Sequence, residues 1–280
     1  MIVILTALRF EATPFIKHYS LKRDSSYKRN ELYRNNDNSI LLLVTRSGKL
    51  PSAISLTEFL TTYKLTPYDH LINVGICGTS ATDNIGSVYL CNRILDHDTA
   101  KYYYPDMLYS HNFSEAGIET FSVPVNESMT TKESLVDMES SALFVAGSTF
   151  LSPHQMHFLK IPSDMLEPDK VSKNDVNTLI LDSVPIVTEW IDHLVSLSNA
   201  ETSAYGFPTS LFPEEQKLFD TISESLRLSV TMKEQLLQLF IYHKLIHGDL
   251  SDIDFCPPIG NVTNQKRKIL FEDLRQQFLQ

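Results

Sequence analysis

Up to about residue 198 the sequence alternates between β-branched runs and stretches with helical spacing, and this alternation restricts the fold more than any other feature. Strands that alternate with helices build a parallel or mixed sheet with helices on its faces. Residues 2–8 (Ile-Val-Ile-Leu-Thr-Ala-Leu) are a continuous apolar run, as in a strand buried on both faces. A short helix is expected over 10–19. Residues 27–33 and 40–45 read as a hairpin pair across the turn cluster Arg34-Asn-Asn-Asp-Asn38. After Gly48 the spacing of Ile54, Leu56, Phe59 and Leu60 predicts a helix over 53–63. Further strands are expected over 70–75, 88–95, 118–123 and 156–161, further helices over 138–146 and 176–197, and a Gly-containing loop over 75–86. In such sheets ligands bind beyond the carboxyl ends of strands. The segments to search are therefore those after Leu8, Val74 and Ile161.

From about Asn199 the character changes. Residues 198–213 are rich in Ser, Thr, Gly and Pro, and helical patterns follow over 213–228, 231–247 and 265–278. The expected organisation is an α/β domain over 1–198, a linker over 199–213 and a small helical C-terminal region over 214–280. A net charge of −10 argues against broad nucleic-acid binding, which requires cations to neutralise phosphates. The cluster Lys266-Arg-Lys268 reads as a solvated helix face. No run approaches the ~18 apolar residues of a membrane span. The first residues lack a basic leader and meet Arg9 and Glu11 at once, so they read as a strand and not as a signal peptide. Cys77, Cys91 and Cys256 are far apart with no CxxC pair, which suggests a reducing compartment and no metal site. A cytoplasmic protein without cofactor or membrane partner is expected.

Three acids fall where the strand–helix reading puts functional segments: Glu11 in Thr6-Ala-Leu-Arg-Phe-Glu11, Glu139 in Val136-Asp-Met-Glu139, and Asp164 in Ile161-Pro-Ser-Asp164. Each has an ordinary explanation. Glu11 would favour the dipole at a helix start, Glu139 would be an exposed helix position, and Asp164 a turn residue. Gly48-Lys49 before a helix would bind an anion or form a solvated loop. Together with Asn73-Val-Gly-Ile-Cys-Gly78 and the segment from Gly86-Ser-Val-Tyr to Asp96-His-Asp98, however, these motifs occur in one order across residues 1–195. In that order the chain resembles the purine nucleoside phosphorylase/nucleosidase superfamily, most closely its methylthioadenosine/S-adenosylhomocysteine nucleosidase branch. The resemblance implies a mixed sheet flanked by helices and hydrolysis of the N-glycosidic bond of a purine nucleoside or a 5′-modified adenosine. It implies that Asp164 protonates the departing base and that Glu11 activates the attacking water. Glu139 and Met138 would hold the ribose, Ser163 and Ile76 would also contact substrate, and the protein would be a homodimer. No role is assigned to His97.

The chain also departs from that family. Only about 40 residues separate Asp98 from Glu139, fewer than is usual there, so a helix between two strands is missing or reduced. The stretch that should supply an aromatic against the base reads Pro124-Val-Asn-Glu-Ser128. Arg46 stands where a glycine is expected, placed to narrow the pocket or to meet an anionic group. The early Pro-Gly-Asp-Pro phosphate loop of the bacterial hexameric phosphorylases is absent, and Glu11 suits water activation, which favours hydrolysis. Arg46 or Arg93 as a phosphate ligand would make the chain a phosphorylase instead. The shortened middle and the C-terminal helices leave open a nucleoside-binding protein without turnover.

Overall fold

The computed structural model of the protein describes residues 1–80, 85–205, 211, 213–247, 250, 253–258 and 263–278. Chain order runs β1 (Ile2–Thr6), α1 (Arg9–His18), β2 (Lys22–Arg23), β3 (Glu31–Arg34), β4 (Ile40–Val44), α2 (Lys49–Thr62) and β5 (His70–Thr79). Next come β6 (Tyr89–Asp96), β7 (Lys101–Tyr103), β8 (Ser114–Thr120), β9 (Leu135–Asp137), α3 (Ser140–Gly147), β10 (Met156–Asp164) and α4 (Lys173–Tyr205). Helices α5 (Pro213–Ser225), α6 (Val230–His247) and α7 (Asn264–Phe278) follow.

The period-two geometry of the strands sorts the core into two layers. Ile2 and Ile4 of β1 join Ile72 and Val74 of β5 against α1 (Ala12, Phe15) and α4 (Ile180, Val187, Ile191). Val3, Leu5 and Leu71 face the other way, onto α2 (Leu56, Phe59) and α3 (Leu143, Phe144). The fold is thus α/β, a mixed sheet with helices on both faces.

The ten residues of β5 let it serve two parts of the sheet. On one edge its first residues pair in parallel with β1, from Ile2↔His70 to Leu5↔Asn73. Farther along, Gly78 and Thr79 pair antiparallel with β9. Its other edge carries β10 in parallel from Met156↔Leu71 onward. Strands β10, β6, β8 and β9 then lead back to β5, closing a ring, while β1, β4, β3 and β2 form an open wing. Between Asn73 and Gly78 the β1/β9 edge of β5 changes partner, and the sheet splits there.

Several boundaries differ from the sequence reading. The loop expected from Gly75 is strand as far as Thr79, because β10 and β9 supply partners that the local sequence does not reveal; residues 81–84 lie outside the described residues. Strands β7 and β9 were not expected, each having only three residues. Glu139 lies at the N-cap of α3 and not within a helix. The linker is corrected over its first half, since α4 continues to Tyr205; its remainder falls mostly outside the described residues. The chain divides into compact units over 1–201 and 202–280, the second built around Ile222, Leu226, Leu236, Phe240, Phe271 and Leu274.

A chain ending at Tyr205 retains both apolar layers of the first unit and is expected to be soluble and to melt cooperatively by circular dichroism. An insoluble product would show that the α/β unit needs residues beyond that point.

Candidate active site

The ends of β1, β5, β9 and β10 converge on a cavity of about 150 Å³. All six residues singled out in the sequence line it: Glu11, Ile76, Met138, Glu139, Ser163 and Asp164. Pro124 and Val125 form the wall where an aromatic residue was missed in the sequence.

Glu11 sits in the first turn of α1 and is buried. Its Oε2 accepts the Leu8 N–H at 2.8 Å, which fastens the helix start from one side. Its Oε1 accepts the Ile76 N–H at 3.1 Å, in the stretch of β5 between the β1 and β9 pairings. Gly75 allows this approach, since a Cβ there would lie 3.1 Å from Glu11 Oε1. Gly78 similarly admits Val136, whose Cγ2 would be 2.9 Å from an added Cβ. The spacing of Asn73-x-Gly75-x-x-Gly78 therefore reflects two close approaches. Burial pushes the Glu11 carboxyl up to about 7; the charge of Glu139 adds to this, and the two N–H donors and Lys160 oppose it.

Glu139 is held from the opposite wall. Its Oε1 accepts the Ser47 hydroxyl and the Gly48 N–H, both at 2.8 Å. The N–H offered for an anion before α2 is thus taken by a carboxylate of the chain itself. Burial raises the Glu139 carboxyl, and the charge of Asp137 adds to this, against Lys160, Gly48 and Ser47. Lys49 is likewise engaged, with Asp96 at 2.7 Å and Asp98 at 2.8 Å. Arg46 does not narrow the pocket: in a left-handed turn (φ 70°) its guanidinium donates to the Arg29 carbonyl at 3.2 Å, away from the lining residues. Arg93 is committed to Glu133 through two 2.8 Å hydrogen bonds.

The residues missed in the sequence are Ser47, Asp137 and Lys160. Lys160 on β10 and Asp137 on β9 both have side chains 1% exposed and pair at 2.8 Å, joining two strands that flank β5 without pairing to each other. Burial opposes ionisation of Asp137, but the Lys160 charge and hydrogen bonds from Lys160, Ser140 and Thr120 outweigh it and hold its carboxyl below the ordinary value. Burial also works against the Lys160 ammonium, and Asp137 and Glu139 more than compensate. A signal was present in Met156-His-Phe-Leu-Lys-Ile161, since a lysine inside a strand buried on both faces demands a buried partner.

Asp164 ends β10. Its Oδ2 accepts the Ser163 hydroxyl at 2.8 Å and its Oδ1 the Glu167 N–H at 2.9 Å, which fixes the carboxyl at the cavity wall. His97 binds Glu119 at 2.7 Å and stacks on Phe121 with ring centroids 4.0 Å apart, so this buried aromatic is turned to the histidine. Among the described residues no cluster of His, Cys, Asp and Glu is arranged to hold a metal ion, and no helix is long and apolar enough to cross a membrane.

No protein-family profile and no curated protein matches the sequence. Solved structures do match the fold. The apo 5′-methylthioadenosine nucleosidase of Arabidopsis thaliana is 18% identical, with a TM-score of 0.58 over 69% of this chain and 95% of that one. A mutant of Helicobacter pylori futalosine hydrolase is 16% identical, with a TM-score of 0.56 over 69% and 98%. The S. pneumoniae 5′-methylthioadenosine/S-adenosylhomocysteine nucleosidase, solved with a transition-state inhibitor, is 18% identical, with a TM-score of 0.56 over 70% and 98%. The fold is therefore the one these nucleosidases and the futalosine hydrolase share, with nearly a third of this chain lying outside the match.

Removing one partner of a buried ion pair leaves an uncompensated charge, at a cost of about 3–5 kcal/mol. Lys160→Met is expected to lose stability on that scale in urea unfolding. Lys160→Met combined with Asp137→Asn is expected to recover much of it. Equal losses in the single and double variants would assign the effect to packing instead.

Proposed function

We propose that the chain hydrolyses the N-glycosidic bond of a purine nucleoside. The observation that carries this reading is the meeting of Glu11, Glu139 and Asp164 in one cavity, with Glu11 in the first turn of α1 and Asp164 at the end of β10, in different surroundings. Departure of the base leaves an oxocarbenium-like sugar, and the reaction needs an acid at the base and a carboxylate that holds water on the other side. In this reading Asp164 gives a proton or hydrogen bond to N7 as the C1′–N9 bond breaks and its electron pair moves to the base. Glu11 takes a proton from water as the oxygen bonds to C1′. Glu139, with Oε1 already anchored, offers Oε2 to the ribose hydroxyls beside Met138, while Ser163 orients Asp164 and Ile76 orients Glu11. A buried carboxyl near 7 is half ionised at neutral pH, which suits a base.

Hydrolysis is favoured over phosphorolysis by the charge of the lining. Among the described residues around the cavity there are four carboxyl groups (Glu11, Asp137, Glu139, Asp164) and no arginine or lysine. Phosphate would meet acids, and the Gly48 N–H that it would seek is occupied. A nucleoside-binding protein without turnover is the second reading, supported by the Pro124–Val125 wall in place of an aromatic surface. A cytoplasmic homodimer accompanies the proposal, and light scattering tests the dimer.

Asp164→Asn preserves shape but cannot deliver a proton, a contribution worth about 10²–10⁴-fold. It is expected to lower kcat by that order with a much smaller effect on KM, because the interaction strengthens in the transition state. An unchanged rate would place the acid elsewhere.

Glu11 must be ionised to accept a proton, so kcat/KM should fall as pH drops through about 7. A pH profile flat from 5 to 8, a range of about one or two units either side of that value, would remove Glu11 from the role of base.

A further inference from the structure

A second cavity, of about 270 Å³, shares Ser163 and Asp164 with the first. Its other walls are the apolar side chains of Ile85, Met165 and Val171 and the charged Glu167, Lys170 and Asp175. These charged groups are already engaged: Glu167 pairs with Lys170, and Asp175 accepts the Ser172 N–H at 3.0 Å. The turn after the acid builds this wall. Glu167 donates its N–H to Asp164 Oδ1, and Leu166 takes a left-handed conformation (φ 61°) that sends its side chain inward against Phe121, Val125 and Val136. Met165 is left facing outward, 38% exposed, and Ile85 is 41% exposed. Single exposed apolar side chains are ordinary. Here two of them join Val171 around a cavity that reaches the acid, and ligand burial of that surface is favourable.

The chemistry of adenine connects the two cavities. Its N7 and its exocyclic 6-amino group lie on one edge of the ring. An acid bonded to N7 therefore stands beside the amino nitrogen, and a group carried on that nitrogen extends past the acid. We propose that the outer cavity is a second subsite, which receives an alkyl group on the 6-amino nitrogen, so that the chain prefers N6-alkylated adenosines to adenosine. This rests on the nucleosidase reading and names the substrate class of that site.

The test is calorimetric binding of adenosine and its N6-methyl, ethyl, propyl and butyl derivatives to the full chain, with release of base followed in parallel. Each fully buried methylene contributes about fourfold in affinity. Affinity is expected to rise along the series, by at least about tenfold from adenosine to the butyl compound when burial is partial. Met165→Trp, which fills the outer cavity from its exposed side, is expected to bring the butyl-to-adenosine ratio close to one. If adenosine binds and the series is flat or falls, the subsite is overturned while the nucleosidase reading stands. If the ratio in Met165→Trp equals that of the wild type, the alkyl group lies elsewhere and the subsite is likewise overturned. If no member of the series binds or is cleaved, the subsite is overturned; the nucleosidase reading falls with it only if other purine nucleosides and 5′-modified adenosines, run in the same assay, also release no base.

Discussion

One edge of β5 carries β1 up to Asn73 and β9 from Gly78, and the hydrogen bond from the Ile76 N–H to Glu11 lies where neither strand pairs. A buried N–H without an acceptor costs about 1–3 kcal/mol, so a split sheet requires an acceptor at that point. Glu11 supplies it, and the same carboxyl fastens the start of α1 through Leu8. The split that opens a cavity thus also brings a carboxylate into it. Once Glu11 is buried, a second buried acid at Glu139 and a third at Asp137 require compensation. Lys160 provides it from β10, with Ser47 and Gly48 helping from the turn before α2. Ring, wing and helix starts are joined by these few charged contacts.

Much of the framework was legible because it follows from local pattern. The apolar run of β1 and the helical spacing of α2 and α4 announced themselves, and the ordered motifs placed all six expected residues at one cavity. The remainder depends on contacts between residues far apart in the chain. Strand β9 has three residues, too few for a period, and becomes a strand through pairing with β5 and β8. Glu139 reads locally as an exposed helix position, yet Asp137 accepts the Ser140 N–H and sets the helix start one residue after it. The roles of Arg46 and Lys49 are set by Arg29, Asp96 and Asp98, none adjacent in sequence. The apparent linker is helix in its first half, because Ser and Thr composition is a weak prior once Ser198 is packed and bonded to the Tyr68 carbonyl.

The electrostatic balance of the cavity separates the proposed chemistry from its neighbours in mechanism. Four carboxyl groups around about 150 Å³ repel a phosphate dianion and stabilise a sugar that gains positive charge. Among the described residues, the strongly buried cation near them is Lys160, held by Asp137 behind the lining, where it tempers the acids without offering an anion site. In the proposed reading, water is the nucleophile that such a surface admits.

The most direct measurement follows the products of a purine nucleoside in buffer free of phosphate and again with phosphate added. The account predicts free base and free sugar in equal amounts, at a rate that phosphate leaves unchanged. Release of base only when phosphate is present, with a sugar 1-phosphate as the second product, would contradict it.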